Sequence, residues 1–139
     1  MEYDRADKEV AEMSKIKVNE QRAVDEFQEL TAIDAPSFGE RQMADRLIVK
    51  LKELGFEVEE DNAGKHFGGN AGNLYAYLPG DLPGDSVLLS GHMDTVEPSK
   101  GKKGIIGEDG VIRSAGKAVL GADDVAGLVE IPCIKRNAS

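Results

Sequence analysis

The sequence predicts an α/β fold: a mixed, mainly parallel sheet flanked by helices. Three observations carry that expectation. Apolar residues first recur at helical spacing, as Val24, Phe27, Leu30 and Ile33, then as Met43, Leu47, Leu51 and Leu54. Short strand-like runs follow in FEVEE, NLYAYLPG and SVLLSG. A final run, GADDVAGLVEIPCIK, begins like a helix. Helices between strands favour parallel neighbours, while the Pro/Gly turn after Leu78 permits an antiparallel one, so the strand order stays open.

Taken in order, residues 1–18 alternate charge without an apolar stripe and read as a flexible or helical N-terminal extension. The folded portion is expected over 19–139. Asp34-Ala35-Pro36 interrupts the first helix. Ser37 and Glu40 then read as a capping box, the serine accepting from a free amide while the glutamate reaches back. Gly55 is placed to end the second helix in the left-handed conformation. Residues 61–72, DNAGKHFGGNAG, read as a loop. Asp109-Gly110 between two short apolar runs signals a hairpin. Pro132 fits poorly in the last helix, because an interior proline removes a backbone bond and kinks the rod.

Composition narrows the partners. Apolar residues make up 40% and charged residues 31% of the 139, an ordinary globular balance. The net charge of −9 argues against nucleic acid, whose phosphates need clustered Lys and Arg. A single cysteine, Cys133, excludes an internal disulfide, fits a reducing compartment and reads as a small hydrophobe. The charged N-terminus lacks the apolar stretch of a signal peptide, and no run of about 18 apolar residues offers a membrane span. A soluble, cytoplasmic protein is expected.

The chemistry gathers after the most apolar run. In LLSGHMDTVEP, His92 and Asp94 are separated by one residue. On extended backbone they point to the same side, so the carboxylate can hold one ring nitrogen and leave the other for a metal. Alone, such a pair is as readily a turn with a hydrogen-bonded histidine. Thirty-one positions after His92 stands Asp123, beside Asp124, at an expected helix start. Capping is the ordinary role of acids there. Two of them allow more: one can cap while the other faces a site, with Gly121 and Gly127 permitting close approach.

LLSGHMDTVEP followed by SAGKAVLGADDVAG resembles the metal-binding half of the peptidase T-like branch of the di-zinc exopeptidase and deacylase superfamily. Further matches run through APSFGERQMADRL, LKELGFEVEED and GGNAGNLYAYLPG, so the resemblance covers roughly residues 20 to 131. It implies a zinc-exopeptidase-like catalytic domain in which His92 ligates zinc, Asp123 bridges two zinc ions and Asp94 is the active-site aspartate steadying the histidine. Asp124 falls on a variable position and receives no ligand role. Ala115 and Val125 depart from residues usual in close relatives, Asp and Lys. The implied activity is removal of the N-terminal residue from short peptides, tripeptides in particular. A deacylase or carboxypeptidase of the same superfamily is the alternative, as is a non-catalytic fragment.

The same resemblance implies parts that the sequence does not supply. The family's catalytic base lies in a Glu-Glu pair downstream of the bridging aspartate, yet Glu130 is the sole acid after Asp124 and reads as a helix surface charge. Glu59-Glu60 precedes the site and reads as strand-end solvation; His66 reads as an exposed loop histidine. The lid domain, often the dimer interface of a full-length homodimer, is also missing. The expectation is an N-terminal portion of a longer enzyme, inactive by itself.

Overall fold

The computed structural model describes residues 19–81 and 83–136; the expected extension over 1–18 lies outside them. Helix α1, Glu20–Thr31, starts at Asn19, whose side chain accepts from the Arg22 amide at 3.0 Å. Its apolar stripe turns Leu30 fully inward, with Ala23 and Phe27 packed beside it. Helix α2, Arg41–Glu53, buries Met43, Ala44, Leu47 and Leu51 on one face. It stops at Gly55, whose φ of 83° suits a residue without a Cβ.

Strands β1, Glu57–Glu60, and β2, Leu74–Tyr77, pair antiparallel, Glu57 opposite Tyr77 and Glu60 opposite Leu74. The stretch joining them is more than the expected loop. It contains a single helical turn, α3, Ala63–His66, which forms because Asp61 Oδ1 accepts from the Ala63 amide at 2.9 Å. Strands β3, Gly104–Ile106, and β4, Ile112–Ser114, form the expected hairpin around Asp109-Gly110, with Gly110 at a φ of 77°.

Helix α4, Ala122–Arg136, packs on α1 and closes the core with Val125, Leu128 and Val129. Burying Leu30, Met43 and Val125 stabilises the fold by roughly 1.5–3 kcal/mol for each side chain. A buried ion pair, Lys50 to Glu26 at 3.2 Å, ties α2 to α1, and Lys50 also reaches Glu29 at 2.8 Å. Among the described residues no helix is long and apolar enough to cross a membrane.

Three expectations are corrected. The α/β character holds, but the described strands make two separate antiparallel pairs rather than a mainly parallel sheet. Both connections return the chain against the strand just formed, which enforces antiparallel pairing; the one parallel contact described is the bridge between Pro36 and Thr95. SVLLSG is not a strand among the described residues: no neighbouring ladder holds it, and Val87 and Leu88 are 84% and 91% exposed. Pro132, expected to fit poorly in the last helix, is accommodated inside it. Its ring is fully buried within α4, and that packing offsets the missing backbone bond. The side chain of Cys133 lies outside the described part.

Candidate active site

The site assembles where residues 91–95 meet the start of α4. His92 Nδ1 lies 3.0 Å from Asp94 Oδ1 and 2.9 Å from the Asp94 carbonyl oxygen. His92 Nε2 lies 3.1 Å from Asp123 Oδ1. The expected convergence of His92, Asp94 and Asp123 is therefore present, although the supporting strand is not. Asp123 and Asp124 have non-helical backbone angles, with a cis peptide between them, and their side chains take different partners.

Asp124 faces the other way and serves the backbone. Its Oδ1 accepts from the Gly127 amide at 3.2 Å, capping α4, while Oδ2 accepts from the His92 amide at 3.3 Å. Glycines on both sides make room for it. A Cβ at Gly91 would stand 2.6 Å from Asp124 Oδ2, and one at Gly127 would stand 2.5 Å from Oδ1. One acid of the pair thus caps while the other faces the ring.

Sequence reasoning missed three contributors. Ser37 does not cap α2; its hydroxyl donates to Asp94 Oδ2 at 2.5 Å. Thr95 is buried and ties this stretch to the chain before α2, its amide donating to the Ala35 carbonyl at 2.8 Å. Lys102, also buried, donates to Thr95 Oγ1 at 2.7 Å. The signal for Ser37 was present, a Ser-x-x-Glu before a helix, but it points equally to a cap. Glu60 is likewise more than solvated: it pairs with Arg41 at 2.7 Å and accepts from the Gly72 amide at 2.8 Å. His66 sits exposed on α3 and Glu130 exposed on α4.

The electrostatics follow from these contacts. The Ser37 hydroxyl first, and then the neighbouring imidazole, hold the Asp94 carboxyl below its usual value despite partial burial. Burial draws the His92 imidazole down, but its bonds to Asp123 and the Asp94 carbonyl, with both carboxylate charges, outweigh that and raise its pKa. With Nδ1–H donating to Asp94, Nε2 faces a carboxylate oxygen. That contact is attractive only with a proton on Nε2 or a cation between the two atoms.

A zinc ion fits this donor set in part. Two ligands each ~2.0–2.2 Å from a tetrahedral zinc lie roughly 3.3 Å apart, close to the 3.1 Å between His92 Nε2 and Asp123 Oδ1. Imidazole nitrogen and carboxylate oxygen are suitable donors. Among the described residues no group of three or more His, Cys, Asp or Glu could hold a metal, and the donors brought together there are two, His92 and Asp123.

Fold and site together define an α/β chain in which a His-x-Asp turn is held against an acidic pair opening a helix. Known proteins carry the same arrangement of chain. The fold matches a tripeptidase from Staphylococcus aureus subsp. aureus Mu50 with a TM-score of 0.82 and 38% identity, covering 86% of this chain and 32% of that one. It matches aminopeptidase PepT from Bacillus cereus ATCC 10987 with a TM-score of 0.81 and 40% identity, again over 86% of this chain and 32% of the other. Among curated proteins, the uncharacterized protein YqjE of Bacillus subtilis (strain 168) is 40% identical over 111 residues, which are 80% of this chain and 30% of that protein. No family model matches the chain. The resemblance to the peptidase T-like branch thus extends from motifs to fold, and the chain spans about a third of the length of the relatives it matches.

Proposed function

We propose that this chain carries part of the metal site of a zinc-dependent aminopeptidase that removes the N-terminal residue from short peptides such as tripeptides. The observation that supports this most is the convergence of His92 Nε2 and Asp123 Oδ1, from separate segments, with Asp94 on the opposite ring nitrogen. Bound zinc lowers the pKa of its water and stabilises charge developing on a peptide carbonyl. His92 and Asp123 bind, Asp94 fixes the imidazole tautomer, and Asp124 holds the His92 backbone in place. Asp94 is too occupied by Ser37 and His92 to take a proton from water. The reaction also needs a general base and further ligands, and none of these four residues supplies them. The isolated chain is accordingly proposed to be inactive, and the full site to hold two zinc ions.

A graft tests the reading. Residues 19–136 replace the matching third of the Bacillus cereus aminopeptidase, and the hybrid is assayed on free-amine tripeptides and on N-acylated amino acids. Tripeptide hydrolysis that His92→Ala or Asp123→Asn reduces at least a hundredfold is expected, as for loss of a metal ligand (roughly 2.7 kcal/mol or more at 1.36 kcal/mol per tenfold). Cleavage of the acylated set alone would overturn the aminopeptidase reading in favour of a deacylase.

A further inference from the structure

We propose that Ser37 is a positioning residue for His92, setting through Asp94 the orientation in which the ring meets a metal ion. This rests on the metal reading given above. Ser37 stands where a helix-capping serine is expected, yet the first helical amide, that of Arg41, donates to Asn70 Oδ1 at 2.9 Å instead. Glu40 Oε1 accepts from the Phe38 amide at 2.6 Å, ahead of the helix. The hydroxyl is thereby released to reach Asp94, 57 positions away, at 2.5 Å.

The contact divides the carboxylate. Oδ2 accepts from Ser37 and Oδ1 faces His92 Nδ1 at 3.0 Å, so the group cannot rotate without losing one partner. A hydroxyl can donate here but the ionised carboxylate cannot, which leaves Oδ1 as an acceptor for Nδ1–H and keeps Nε2 directed at Asp123. The serine is itself placed by rigid neighbours. Ala35 and Thr95 are buried, the Thr95 amide bonds to Ala35, and Pro36 bridges to Thr95. Beyond Ser37, α2 is anchored by the fully buried Met43 and Ala44. A short, core-anchored turn thus reaches from the second helix to the ring's supporting acid.

Calorimetric titration of the 139-residue chain with Zn²⁺ tests this, together with long-range ¹H–¹⁵N NMR of the His92 ring in the metal-free chain at mildly alkaline pH. Loss of an outer partner of a ligating histidine weakens metal binding roughly 10–100-fold, and Ser37→Ala is expected to fall in that range. Ser37→Thr, which keeps the hydroxyl, restores most of the affinity. The wild-type ring carries its proton on Nδ1; in Ser37→Ala the two tautomers mix. Unchanged zinc affinity together with an unchanged tautomer in Ser37→Ala overturns the proposal. If the wild-type chain binds no zinc, or binds as well after His92→Ala, the metal reading falls and the tautomer decides the role of Ser37. Should Ser37→Ala lose its fold by circular dichroism, Ser37→Cys, a weaker donor, takes its place with the same expectation.

Discussion

The inner face of α2 and the segment 86–91 are comparably apolar in sequence and opposite in fate. Met43 and Leu47 are 0% and 5% exposed, whereas Leu88 is 91% exposed. The difference lies in what each segment can satisfy alone. A helix closes its own backbone hydrogen bonds and needs only one apolar surface, which α1 and α4 help to supply. A strand needs a neighbour's ladder before its side chains can be buried, and no described strand pairs with 86–91. Apolar content proposes an element; a partner decides it.

The comparison breaks first at the core. Leu47→Ala removes a buried side chain where the surroundings relax only partly, and a loss of about 2–5 kcal/mol is expected in urea unfolding. A loss below about 1 kcal/mol would mean that the α2 face is not the centre of the fold.

Intermediate in effect is the exposed loop 61–73, which is ordered without apolar burial. Asp61 accepts from the Ala63 and Asn73 amides, from the Asn73 side chain and from Tyr75. The Ala63 amide foremost, then Asn73, lower its pKa from 3.8 to about 2. A carboxylate with a depressed folded-state value contributes order that is complete above the unfolded value and is lost as pH falls through about 2. The Asp61 carboxyl carbon should titrate near that value by NMR, with the amide signals of 63 and 73 shifting together. A midpoint at the ordinary 3.8 would show these bonds to be ineffective in solution.

The smallest effect is expected at the other end of the comparison. Leu88→Ser leaves urea stability within about 0.5 kcal/mol, as for surface changes generally. A loss above 2 kcal/mol would show that 86–91 is packed in solution and that the contrast with α2 is false.

Much of the site could be read from residue types and spacing. His92, Asp94 and Asp123 stand out because an imidazole, a supporting carboxylate and an acid at a helix start form a coherent donor set, and the fold brings those three together. The division of labour within the acidic pair was legible only as an alternative. Which acid caps depends on the backbone at 123 and 124 and on the room left by Gly91 and Gly127. Ser37 shows why the remainder was hidden: a serine before a helix carries a local reading strong enough to mask a partner far along the chain.

By itself, then, the sequence determined what local physics can encode. That includes the helices and their inward faces, the stop at Gly55, the Asp109-Gly110 hairpin and the residue types able to hold a metal. Tertiary structure decided everything that requires two distant segments to meet. It paired β1 with β2, carried α4 through a buried Pro132, left 86–91 without a ladder and turned Ser37 from its own helix toward Asp94. The physical reason is common to all four. Periodicity and capping are set within a few residues, whereas pairing, burial and side-chain partners depend on which surface the rest of the chain presents.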